Sequence, residues 1–270
     1  MTAFKDKLLV GKTAFVAGAS SGINLAIAEH FARHGARVGI ISRSADKIQA
    51  AAQGLVDQGL EARGIAADVR DFDAVDAALK EVSEAYGQID IVVSGAAGNF
   101  PAPAHKLSSN GFRTVVDIDL VGTFHVLRAA YPYLRRPGAS LLSISAGQAV
   151  QAMRFQAHVC AAKAGVNMLT RCLALEWGGE GIRVNAISPG PIAGTEGMAR
   201  LTPTPELEAA LKARIPLGDY GTKIDIAETA LFLCSDSARY ITGAIIDCDG
   251  GFIIGDASPA ALGGQVAPKS

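Results

Sequence analysis

Apolar residues along this chain fall into short continuous runs that alternate with stretches of helical spacing. Thr13 to Ala17 is the first run and ends in glycine-rich residues. From Leu25 to His34, Leu25, Ile27, Ala28, Phe31 and Ala32 are apolar, while Glu29, His30 and Arg33 are polar. That spacing predicts a helix, and Gly35 stops it. Further strands are predicted at Val38 to Ile41, Gly64 to Ala67, Ile89 to Val93, Ala139 to Ile144, Ile182 to Ile187 and Ala244 to Cys248. Helices are predicted over Ala45 to Gln58, Asp73 to Tyr86, Phe112 to Leu134 and Val159 to Gly178.

Strands that are apolar throughout belong to a parallel sheet covered on both faces. Right-handed crossovers then give a doubly wound α/β architecture, the Rossmann fold. Residues 1–270 contain no linker, repeat or low-complexity stretch, so a single domain is expected. The segment 190–217 is less regular and rich in proline and threonine. Following the C-terminal edge of the sheet, it reads as a substrate lid.

Composition narrows the function classes. A net charge of -1 gives no bulk field for nucleic acid or an anionic membrane. Cys160, Cys172, Cys234 and Cys248 show no metal-ligand spacing and read as free thiols of a reducing compartment. Met1 to Lys12 interleaves charges with apolar residues, without the apolar core of a signal peptide. No apolar run reaches the roughly 18 residues of a membrane helix. The last residues, Ala267-Pro268-Lys269-Ser270, do not match the Ser-Lys-Leu peroxisomal address. A cytoplasmic location is expected.

The first strand runs into Gly18-Ala19-Ser20-Ser21-Gly22-Ile23-Asn24. Gly18 permits a tight turn, and Gly22 lets the backbone approach a phosphate. The following helix aims its N–H groups and positive dipole end at that phosphate. A glycine turn after a strand is common; its place before an amphipathic helix points to a dinucleotide. The spacing is not G-x-G-x-x-G, and Asn24 stands where a third glycine would be, so a local difference in the turn is expected. The second strand ends at Ser42-Arg43, without the acid that would hold the ribose hydroxyl of NAD. Arg43 favours the extra phosphate of NADPH over a merely solvated arginine.

These residues carry a resemblance. The phosphate loop, Asp68-Val69, Ala97-Gly98, Lys163 and Pro189-Gly190 stand in the order of the short-chain dehydrogenases/reductases, over Leu9 to Phe252. The resemblance implies that Gly18, Ser20, Ser21, Gly22, Ile23, Arg43, Asp68, Val69, Ala97 and Gly98 line a dinucleotide site. Asp68 would hold the adenine edge and Lys163 the nicotinamide ribose. The loop from Pro189 through Gly190 and Ile192 to Thr195 would contact the carboxamide. It also implies a homotetramer built on the two long helices.

The departures from that pattern are more informative. The tyrosine position, one helical turn before Lys163, is Val159; the serine position is Ala146; the asparagine position is Asp119. Valine and alanine have no proton to give, so ketone–alcohol chemistry lacks its acid. The strings Ala96 to Phe100, Asp117 to Asp119 and Pro189 to Gly197 resemble 2,4-dienoyl-CoA reductases of the peroxisomal type, a branch that also lacks the tyrosine. Reduction of a conjugated C=C in an acyl-CoA thioester needs a stabiliser for charge on the thioester oxygen and a later proton at carbon. Asp119 and Lys163 are the candidate catalytic pair. Asp119 either assists proton delivery or holds local backbone groups.

Asn99, Phe100, Arg154 and Phe155 are candidate substrate residues, with loop packing or a solvated arginine as the plainer alternatives. His158 reads as structural. Two other classes stay open: a carbonyl or alcohol oxidoreductase with a rearranged acid, and an inactive dinucleotide sensor.

Overall fold

The computed structural model describes residues 7–262, so the terminal tetrapeptide Ala267 to Ser270 and the first half of Met1 to Lys12 lie outside the described residues. Seven strands form one sheet: β1 (Thr13–Ala17), β2 (Arg37–Ser42), β3 (Ala62–Ala66), β4 (Ile91–Ser94), β5 (Ser140–Ile144), β6 (Arg183–Pro189) and β7 (Ile245–Cys248). Their order is β3-β2-β1-β4-β5-β6-β7, and every pairing is parallel. The strand order reverses between β1 and β4, the place where such sheets open a crevice beyond their C-terminal ends.

β1, β4 and β5 are buried at every position, which is why their sequences show no polar–apolar alternation and admit only small hydroxyl residues among the apolar ones. One face is covered by α1 (Gly22–Arg33), α2 (Ala45–Val56) and, near the other end of the sheet, a helix over Lys223–Cys234. The other face is covered by α3 (Phe72–Tyr86), a helix over Gly122–Ala130 and one over Ala157–Trp177. Among the described residues no helix is long and apolar enough to cross a membrane.

Three segments differ from the sequence expectation. The single helix expected over Phe112 to Leu134 is divided: α4 (Ser109–Val116), a wide π turn at Asp117–Val121, then α5 (Gly122–Ala130). The Thr123 hydroxyl donates to the Asp119 carbonyl at 2.6 Å, satisfying a carbonyl of the π turn. After α6 (Ala157–Trp177), the irregular stretch 190–217 contains two short helices, α7 (Glu196–Leu201) and α8 (Pro205–Ala213). The helix over Lys223–Cys234, α9, was not expected. Its start is a capping box, with Thr222 and Asp225 satisfying each other's backbone N–H groups.

α1 and α9 enclose a titratable pair. His30 is buried, with its Nε2 3.5 Å from a Glu228 carboxylate oxygen. Burial holds the imidazole below its ordinary value of 6.5, and Glu228 only partly offsets this. The unfolded chain therefore takes up the proton first. Stability is fully present above about pH 6.5 and is lost as pH falls from there through the lowered folded value. Replacing His30 with Gln is expected to flatten the melting temperature between pH 7 and 5; an unchanged slope in that variant would move the acid sensitivity elsewhere.

Candidate active site

The crevice is built by loops leaving β1, β2, β3 and β4. Gly18 and Gly22 adopt φ of 78° and 68°, the left-handed region glycine enters freely. A Cβ at Gly18 would stand 2.8 Å from the Ala96 backbone, so this loop and the one after β4 touch. Asn24, expected to crowd the helix start, instead joins the two loops. Its amide donates to the Gly18 carbonyl at 3.3 Å and the Gly95 carbonyl at 2.7 Å. Ser21 is the N-cap of α1 but makes no capping bond to it, so the first N–H groups of the helix stay free for an anion.

Gly18, Ser20, Ser21, Arg43, Asp68, Val69, Ala97 and Gly98 all line one cavity of about 570 Å³. Ile23 follows in the first turn of α1. Ser42, Ser44 and Lys47 line the same cavity beside Arg43. The sequence reading passed over these; a lysine one turn into α2 was the available signal. Asp68 is not a free carboxylate. Arg70 grips both its oxygens, at 2.6 Å in the closest contact, and these bonds hold its pKa below the ordinary carboxylate value. The Asp68 carboxylate is thereby fixed in position.

At the inner end of the crevice lies the pair expected to do chemistry. Asp119, on the π turn, is 1% exposed, and Lys163, on α6, 5%. Asp119 Oδ1 accepts from the Gly98 N–H at 2.7 Å. Its Oδ2 lies 3.3 Å from Lys163 Nζ, an ion pair without an aligned hydrogen bond. Lys163 donates to the Ile144 carbonyl at 3.0 Å. Asp119 thus does hold a backbone group, but one 21 residues away in the loop after β4. Lys163 is no surface lysine. Leaving either charge buried alone would cost roughly 3–5 kcal/mol, which is why the two occur together.

Val159 is 3% exposed and packs with Val115 and Ala162, an apolar plug where a proton donor would sit. Ala146 follows β5 and carries no hydroxyl toward the site.

Of the remaining expected residues, Pro189 and Gly190 form part of a wall, and Ile192, Thr195, Asn99, Phe100, Arg154 and Phe155 lie in the loops around it. Pro189 and Gly190 line a second, mostly apolar cavity of about 410 Å³. Ile192 is buried, and Thr195 caps α7 by accepting from the Met198 N–H at 3.4 Å. This cavity also takes Met198, Leu201, Leu207 and Leu211 from α7 and α8, with Phe252 and Ile253 opposite. Sequence reading missed these; the apolar positions of 196–211 were the signal. Asn99 is exposed, and Phe100 is 38% exposed with its ring 4.6 Å from that of His158. Arg154 is exposed and stacks over Phe155 at 5.4 Å.

Comparison with known proteins follows the same lines. Residues 18–253 match the family described as enoyl-(acyl carrier protein) reductase. The chain is 42% identical over 258 residues to a peroxisomal 2,4-dienoyl-CoA reductase, (3E)-enoyl-CoA-producing, of Arabidopsis thaliana; the match covers 92% of this chain and 86% of the relative. It is 39% identical to D-threitol dehydrogenase of Mycolicibacterium smegmatis, over 92% and 95%. Among solved structures, a citronellol catabolism dehydrogenase of Pseudomonas aeruginosa superposes with a TM-score of 0.82 at 32% identity, covering 93% and 99%. The chain belongs to the short-chain dehydrogenase/reductase family, whose members are NAD(P)-dependent oxidoreductases.

Proposed function

We propose that this family member is an NADPH-dependent reductase of a conjugated C=C in an acyl-CoA thioester, of the 2,4-dienoyl-CoA reductase kind. The observation that carries the reading is the buried Asp119–Lys163 pair beside a plugged tyrosine position, with Val159 and Ala146 where a ketone reductase needs acids. Overall identity does not discriminate, because the dienoyl-CoA reductase and the D-threitol dehydrogenase are about equally similar.

The cavity at the phosphate loop fits the dinucleotide: free N–H groups at the start of α1, two serines, and Arg43 with Lys47 for the additional phosphate. When bound, NADPH supplies a hydride. Hydride addition at the far end of a dienoyl system leaves negative charge on the thioester oxygen. Lys163 holds a fixed positive charge in a dry site, where such a charge is most effective. Asp119 fixes Lys163 on one side and the Gly98 N–H on the other, and it directs proton delivery to carbon. Lys163 also takes the ribose hydroxyls, Asp68 the adenine edge, and the loop Pro189 to Thr195 the carboxamide. The apolar cavity under α7 and α8 receives the acyl chain, and the segment 190–217 closes over it.

The test is NADPH consumption with matched dienoyl-CoA, enoyl-CoA and ketoacyl-CoA substrates. The dienoyl-CoA is expected to dominate; preference for the ketone would return the protein to carbonyl chemistry. The likeness to D-threitol dehydrogenase favours a second reading, a polyol oxidoreductase with a rearranged acid. NAD(P)+ reduction by D-threitol in the same assay would establish it.

If the acid has left the tyrosine position, Val159→Ala should keep dienoyl-CoA turnover within severalfold of the parent. A loss of a hundredfold would mean that the plug itself shapes the reacting geometry.

A homotetramer also belongs to this reading. Met168 and Leu175 on α6 and Phe124 on α5 are 57%, 87% and 43% exposed, an apolar surface that a second copy would cover. Light scattering at micromolar concentration should give four chains; a monomer would exclude it. Four free cysteines fit a reducing compartment such as the cytoplasm.

A further inference from the structure

His158 is fully buried, yet neither ring nitrogen has a hydrogen-bond partner in the protein. Buried polar groups are nearly always paired, and an unpaired one calls for a reason. Three observations around it point the same way.

First, the only aromatic neighbour of the imidazole among the described residues is Phe100, 4.6 Å away and itself 38% exposed. The tip of the Phe100 ring would lie 3.1 Å from a Cβ at Gly111 of α4, so this one side chain bridges α4 and the start of α6 over His158. Second, the Ala102 N–H donates to the Phe155 carbonyl at 2.9 Å, tying the loop after β4 to the loop before α6. Third, Phe155 has φ of +66°, a left-handed backbone that a bulky residue rarely adopts and that gathers at ligand sites. Between α4 and the start of α6 lies a hollow of about 640 Å³, bounded by Leu107, Ser108, Phe112, Arg113 and Ala157, the residue before His158.

We propose that His158 is a positioning residue for the amide-bearing arm of coenzyme A. Phe100 covers it in the free protein and shifts aside when the arm enters along the hollow between α4 and α6. The proposal rests on the acyl-CoA reading of the site. A neutral imidazole has one N–H donor and one acceptor nitrogen, the complement of an amide's C=O and N–H. Packing alone would be served better by phenylalanine at this position, since the imidazole's desolvated nitrogens gain nothing from Phe100.

The test measures equilibrium binding by calorimetry on NADP+-loaded protein, with 2,4-hexadienoyl-CoA and free coenzyme A as the probes. His158→Phe is expected to raise the Kd of both by about tenfold, the worth of one buried hydrogen bond and the group it leaves unpaired. The KM for the thioester rises with the Kd, NADPH affinity stays near the parent, and the melting temperature does not fall. His158→Gln, which keeps a donor and an acceptor, recovers most of the affinity. Parent-like Kd values in His158→Phe overturn the proposal. So does equal weakening in both variants together with a lower melting temperature, which would make His158 a packing residue. A parent that binds hexadienoyl-CoA without consuming NADPH sinks the reductase reading, while the Kd ratio still decides on His158. A parent that binds neither probe sinks both.

Discussion

Asp119→Asn is expected to lower kcat on a dienoyl-CoA by about a hundredfold or more, the usual worth of a positioned acid–base group. Asparagine rather than alanine is the informative change. Its amide oxygen still accepts from the Gly98 N–H, so the loop after β4 stays in place. Only the charge facing Lys163 is lost. NADPH affinity should change little, because Asp119 is assigned to proton delivery. Lys163→Ala should harm both turnover and cofactor binding, since one side chain serves the ribose and the developing charge. It also strips the Ile144 carbonyl of a donor and leaves Asp119 buried alone, so its stability must be checked first. Stopped-flow measurement of hydride transfer separates these effects from product release. Full activity in Asp119→Asn would leave Lys163 and ordered water as the proton source.

Arg43→Asp should weaken NADPH by about ten- to a hundredfold relative to NADH, the worth of one charge-assisted phosphate contact. The mechanism is local. Arg43 is exposed at the end of β2 and lines the cavity with Ser42, Ser44 and Lys47, while the nearby carboxylate of Asp68 is already engaged by Arg70. Asp68 is therefore not free to accept from a ribose hydroxyl at this edge. The introduced aspartate would repel the phosphate and accept from that hydroxyl, so NADH binding should hold or improve. Titration of each reduced cofactor by fluorescence checks it; equal losses for both would detach Arg43 from cofactor choice.

The parallel sheet was legible because the buried strands are mostly apolar runs without alternation and most covering helices show a helical period. The phosphate loop was legible because glycine is needed where the chain turns left-handed, at Gly18 and Gly22. Asp119 and Lys163 came from the family pattern, and no periodicity revealed that they meet. Asp119 lies on the π turn, which interrupts a sequence that reads as plain helix. α9 escaped although its capping box, Thr222 to Asp225, is a local signal. Its apolar residues lie nearly all round because it packs deep against α1, so no amphipathic stripe marks it. The residues of the apolar cavity escaped for a related cause. Leu201 and Leu207 are about half exposed on short helices and look, in sequence, like surface leucines.

The central claim is that hydride goes to carbon in a conjugated thioester, with no tyrosine acid. The most direct measurement follows the label from NADPH deuterated at its transferable position into the product of 2,4-hexadienoyl-CoA, read by NMR. The account predicts deuterium on the diene carbon farthest from the thioester, an intact thioester, and one double bond fewer. No label transferred to the dienoyl-CoA, together with deuterium on the carbinol carbon formed from a ketone substrate, would contradict it.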